Sequence, residues 1–176
     1  MEKHFIINKI TIQELNNLLA NFKLTSFDII PENNLLLLTL YLDKTIENIF
    51  IYENESVASG LFVQVPFFDA FFSTIINESK LLGAYSIASF LIKETVNGNL
   101  NLNQIPNYLI NVDNADKQLL KIYFYNNFNT TKTSKTMYFH RNTVINKINT
   151  FFDKYNIDIK DVNNAFFVKL LLDIYG

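Results

Sequence analysis

The sequence predicts an α+β protein in two parts: an N-terminal α/β module with a small antiparallel sheet, then an all-α domain. Three observations carry this. Short apolar and β-branched runs separated by polar turns fill residues 34–65, helical spacing of apolar residues takes over from residue 67, and the charge changes sign along the chain. Residues 1–112 hold six lysines against eleven acids, a net −5, whereas residues 113–176 hold nine cations against six aspartates, a net +3, consistent with −2 overall.

Composition sets the frame. A chain of 176 residues that is 49% hydrophobic, with 17 phenylalanines and 18% charged residues, can bury a real core and does not have the make-up of a disordered segment. The absence of cysteine excludes disulfides, thiol nucleophiles and cysteine-based zinc sites, and suits a reducing compartment. The opening MEKHFIINKITIQEL lacks a small-residue cleavage site, and the apolar runs are about half the roughly 20 residues a membrane span needs. The expected location is the cytoplasm. Heavy use of Lys, Asn and Ile beside a single Arg matches the codon bias of an AT-rich bacterial genome.

The elements follow in order. TIQELNNLLANFKL (11–24) places Ile12, Leu15, Leu18, Leu19 and Phe22 at helical spacing behind Thr11 and Glu14, a capping-box pair. NLLLLTLYL (34–42) and IENIFIYENES (46–56) read as a hairpin about the polar DKT, with GLFVQV (60–65) as a third strand stopped by Pro66. From Phe67 the chain reads as helix, broken near Asn77–Ser79 or at Gly83. His4 lies near a terminus expected to be mobile and receives no role. The Asn-rich stretch 97–115, with Gly98 and Pro106, is the expected linker between a module at 1–96 and a domain at 116–176.

The second part reads as helices only. Asp113 or Asp116 opens a helix that buries Leu119, Leu120, Tyr123 and Phe124. Thr130 or Thr131 caps a two-turn helix, and a longer one starts at Arg141 with Val144, Ile148, Phe151 and Phe152 facing inward. Asn156 ends it in a left-handed cap. The last helix, near 161–175, turns Ala165, Phe166, Val168, Leu171 and Leu172 to the core.

A short helix, a tight turn and a longer helix with polar and basic opening residues is the order of a helix-turn-helix. The motif lies in TSKTMYFHRNTVINKI (133–148), which holds the chain's only arginine, and residues 117–152 contain six cations and no acid. Arg141 suits guanine, Asn142 adenine, and Thr143 a phosphate or thymine methyl. The planar guanidinium fork, which lysine lacks, accounts for an arginine here.

FHRNTVINKINTFFDKYNIDI resembles the signature of the PucR-type helix-turn-helix domain, which ends many bacterial purine-catabolism and sugar-diacid regulators. The matching residues are His140, Arg141, Asn142, Thr143 and Val144, then Lys147 and Ile148, then Asn156, Ile157, Asp158 and Ile159. The resemblance spans roughly residues 113–176. Ser134 stands where that family has a small Ala, Asn146 where an aromatic is common, Asn156 where Gly is usual, and Lys147 where Arg is usual. About 110 N-terminal residues are too few for the long sensory regions typical of the family.

The resemblance implies a sequence-specific transcription regulator that binds double-stranded DNA. Arg141, Asn142 and Thr143 address the major groove, Asn146 a base or the backbone, and Lys132, Lys135 and Lys147 the phosphates. His140 reads first as a helix cap and second as a DNA contact. A homodimer is expected, because one such motif reads few base pairs. The N-terminal module would supply dimerisation or sensing, through a small-molecule effector or a protein partner. No metal spacing, cofactor motif, Gly-rich phosphate loop or catalytic grouping is legible, so the chain reads as a non-enzyme. The alternative is a protein-protein interaction module that keeps the helix-turn-helix as a packing unit.

Overall fold

The computed structural model describes residues 2–22, 24, 26–41, 59–106 and 112–175, and its helices and strands form a mixed α+β protein. Two compact units divide it, Met1–Leu100 and Asn101–Gly176.

The central strand of the first unit is Glu2–Asn8 (β1), a segment the local pattern leaves without an element. Phe5, Ile6, Ile7 and Asn8 are all buried, so both faces of β1 are covered and its apolar residues run continuously instead of alternating. A capping box of Thr11 and Glu14 then starts the helix Ile12–Asn21 (α1), as the sequence predicts. Leu15, Leu18 and Leu19 are buried while Ile12 is exposed.

The strand Phe27–Glu32 (β2) forms an outer edge beside Leu35–Tyr41 (β3), across a turn in which Asn33 takes φ 55°. The strand predicted at 34–42 is β3, which pairs with the unpredicted β2; the partner strand predicted at 46–56 lies outside the described residues. β3 pairs antiparallel with β1, Phe5 opposite Leu38. The strand Leu61–Val65 (β4) pairs antiparallel with the other side of β1, Ile6 opposite Val63, and is buried along its whole length.

Next come the helix Ala70–Glu78 (α2), the strand Gly83–Ser86 (β5) and the helix Ile87–Val96 (α3). Because α2 carries the chain back across the sheet, β5 joins β4 in parallel. Among the described residues the sheet thus has five strands, in the order β2-β3-β1-β4-β5, and is mixed where a small antiparallel sheet is expected. The predicted break near Ser79 and Gly83 is where α2 ends and β5 begins.

Alternation sorts the layers. Phe5, Ile7, Leu36, Leu38, Leu40 and Phe62 pack with the buried leucines of α1 on one face. Asn8 points to the other face, where its amide donates to the carbonyls of Ile76 and Asn77 at the end of α2. Glu94 of α3 is buried, and its carboxylate accepts from Ser79 Oγ at 2.8 Å and Asn99 Nδ2 at 2.9 Å, which joins the ends of α2 and α3.

His4 is no loose terminal residue. Its Nδ1 lies in hydrogen-bonding range of the Thr39 hydroxyl at 3.3 Å, and its ring packs edge-on to Phe68 with centroids 5.1 Å apart. Burial holds its pKa below the usual 6.5, against the weaker opposing pull of Glu2. The folded chain therefore binds fewer protons than the unfolded chain below pH 6.5, so stability is complete above that pH and is lost as pH falls from 6.5 through the depressed folded-state value. Denaturant midpoints should drop across that window, and His4→Gln should flatten the drop. An unaltered pH profile in the variant would remove His4 as its source.

In the second unit a 3-10 turn, Leu102–Gln104, precedes the helices Asn114–Tyr125 (α4), Thr130–Met137 (α5), Arg141–Tyr155 (α6) and Val162–Tyr175 (α7). α4 buries Leu119, Leu120, Tyr123 and Phe124, and α6 buries Val144, Ile148 and Phe151. α7 buries Ala165, Phe167, Val168, Leu171 and Leu172. Phe152 and Phe166, predicted to face inward, are 49% and 54% exposed, and Phe167 takes the core position instead. The Tyr175 hydroxyl donates to the Ile105 carbonyl and ties the last turn of α7 to the start of the unit.

Candidate nucleic-acid interface

Each helix end around the turn is fixed by a local hydrogen bond. Asn129, one residue before the predicted cap, accepts from Lys132 N at 2.9 Å and starts α5. Thr133 and Ser134 are the buried residues of this short helix, and the small Ser134 returns its hydroxyl to the Thr131 carbonyl. Tyr138 ends α5 in the left-handed conformation, with Phe139 N donating back to the Ser134 carbonyl at 2.9 Å. His140 then caps α6: its Nδ1 accepts from Asn142 N at 3.3 Å.

The buried stripe of α6 at positions 144, 148 and 151 leaves the opposite side free. Arg141, Asn142 and Thr143 form the exposed first turn, Asn146 is exposed one turn on, and Lys147 beside it is half-buried. These residues share the N-terminal end of one helix. Lys132 and Lys135 stand on α5, both exposed. Lys132, Lys135, Arg141 and Lys147 have no ion pair among the described residues, whereas Lys154 is paired with Asp113 and Asp116, and Lys169 with Asp173.

The Lys154 cluster is the part of the domain that local pattern does not reveal. Its ammonium bridges Asp113 and Asp116, while the Tyr155 hydroxyl donates to Asp116 Oδ2 at 2.8 Å and accepts from Asp113 N at 3.2 Å. The end of α6 is thereby held against the start of α4. The hydrogen bond that Lys154 donates to Asp113 lowers the pKa of Asp113 and is the largest cause raising that of Lys154.

After Asn156 takes the left-handed conformation, Ile157 and Ile159 are buried and Asp161 Oδ1 accepts from Asn163 N and Asn164 N at the start of α7. This is the NIDI turn of the sequence.

Two helices joined by a left-handed turn, the second presenting an unengaged polar face behind a histidine cap, define a helix-turn-helix domain. Residues 117–174 match the family model of the PucR C-terminal helix-turn-helix domain, in agreement with the resemblance of the HRNT stretch. No curated relative matches the sequence. Among solved structures the chain is similar to a regulator of polyketide synthase expression from Bifidobacterium adolescentis, at 10% identity and a TM-score of 0.42, over 99% of this chain and 80% of that one. Among the described residues no helix is long and apolar enough to cross a membrane, and no group of three or more His, Asp or Glu could hold a metal.

Proposed function

We propose that the protein is a sequence-specific transcription regulator whose α6 enters the major groove of double-stranded DNA. The observation that supports this best is the free N-terminal end of α6, where Arg141, Asn142, Thr143 and Asn146 are exposed together while the opposite stripe is buried. Arg141 pairs with guanine, Asn142 with adenine, Thr143 with a thymine methyl or a phosphate, and Asn146 with a base or the backbone. His140 holds the first turn in place as its cap. Lys132, Lys135 and Lys147 take phosphates, which their lack of ion-pair partners among the described residues favours. The working form is a cytoplasmic homodimer on half-sites about one helical turn apart. The module at 1–96 serves dimerisation or effector sensing, joined through 97–115 to the DNA-binding domain at 116–176.

Salt tests the reading. Three phosphate-bound lysines per copy give a slope of log affinity on log salt near −2.7, and about −5 for a dimer. Purified protein should prefer its own upstream DNA to random DNA and show that slope in a titration of binding against salt. Absence of binding at low salt would sink the proposal and leave the interaction-module reading.

A further inference from the structure

Among the described residues six non-glycine positions have positive φ: Lys9, Asn33, Asn127, Phe128, Tyr138 and Asn156. Three are asparagine, which accepts the left-handed conformation at little cost. The other three face the steric cost of placing a full side chain there. In two of them the side chain makes contacts that offset it. Lys9 Nζ donates to the Leu81 carbonyl at 2.9 Å, and the ring of Phe128 lies 5.5 Å from those of both Tyr123 and Phe124.

Tyr138 has no such return. It is 96% exposed at φ 55°, and among the described residues its side chain has no hydrogen bond or ring contact. Its backbone alone is engaged, with its N–H donating to the carbonyls of Lys135 and Ser134 at the end of α5. Glycine would meet that backbone requirement without strain. A phenol without a partner among the described residues, in a conformation that disfavours it, points to a use outside the folded chain.

Its position says where. Tyr138 sits in the turn, three residues before Arg141, so their Cα atoms are at most about 11 Å apart. The major groove is about 12 Å wide. When the first turn of α6 is seated in it, the preceding turn comes to the groove wall, where the phosphates are. Tyrosine is among the neutral side chains that donate to phosphate oxygens.

We propose that Tyr138 is a DNA-contacting residue, its hydroxyl donating a hydrogen bond to a backbone phosphate at the groove wall while its ring covers the adjoining sugar. The inference rests on the DNA-binding reading above and adds a contact that reads no sequence and carries no charge. A neutral donor releases no counterion, so the contact adds affinity without steepening the salt dependence.

The test measures binding of the full chain and of Tyr138→Phe, Tyr138→Gly and Arg141→Ala to upstream and random DNA across salt, with a thermal melt of each. Tyr138→Phe should weaken both DNAs alike, by about tenfold, at an unchanged salt slope. Tyr138→Gly should weaken them at least as much while melting no lower than the unaltered chain, because glycine relieves the backbone. A lower melt for Tyr138→Gly would mean that the ring serves the fold, and would overturn the proposal. A silent Tyr138→Phe beside a weakened Tyr138→Gly overturns the hydroxyl contact. Wild-type affinity in both variants, while Arg141→Ala loses sequence preference, overturns the role of Tyr138 and leaves the DNA-binding reading standing. No DNA binding by the unaltered chain removes both.

Discussion

Arg141→Ala is expected to erase about 1–3 kcal/mol of the preference for the upstream site and to relax discrimination at one base pair, while binding to random DNA changes far less. The asymmetry follows from the roles assigned to Arg141 and Lys147 of α6. A guanidinium in the first exposed turn can make two parallel hydrogen bonds to one guanine edge, and these are lost only where that guanine is present. Lys147, nearly two turns after Arg141 and half-buried, carries a point charge on a flexible stem. Lys147→Ala should therefore weaken every sequence alike and lower the salt slope by about 1 per copy. Competition binding against a set of single-base variants of the site separates the two patterns. Equal losses on all sequences from both substitutions would defeat the assignment of Arg141 as a base reader.

Helix α6 is the most legible part of the chain because its signals are local. His140 and Asn156 mark its ends, and its apolar residues at 144, 148 and 151 repeat with one clear phase against polar neighbours. The cap of α4 at Asp113 and the capping box of α1 were visible for the same reason. What escaped was non-local. β1 is central only because β3 and β4 pair with it from residues 35–41 and 61–65, and nothing within EKHFIIN reports that. β2 is a short edge strand containing Pro31, with weak alternation and mostly exposed residues. The Lys154 cluster joins residues 38 to 42 positions apart, and at the level of pattern its charged members look like ordinary solvated charges.

The last helix shows a different failure, and it sets up the largest expected stability effect. Phe166 and Phe167 are adjacent in a helix where Ala165, Val168, Leu170, Leu171 and Leu172 surround them, and the only charged cue to which faces out is the exposed Lys169–Asp173 pair, three and seven residues after Phe166 and on its face. Packing decides it: Phe167 is fully buried and Phe166 is 54% exposed. Phe167→Ala should cost about 3–5 kcal/mol, because it removes a ring from a closed space as well as its transfer free energy. Phe166→Ala should change stability by no more than about 0.5 kcal/mol, since its ring already meets solvent. The first loss is comparable to the whole stability of a small domain, so Phe167→Ala should also abolish DNA binding by unfolding the scaffold that presents Arg141. Urea denaturation of both variants, followed through the helical signal, is the check. Comparable losses in the two would mean that α7 is rotated from the phase described, with Phe166 and not Phe167 in contact with the core.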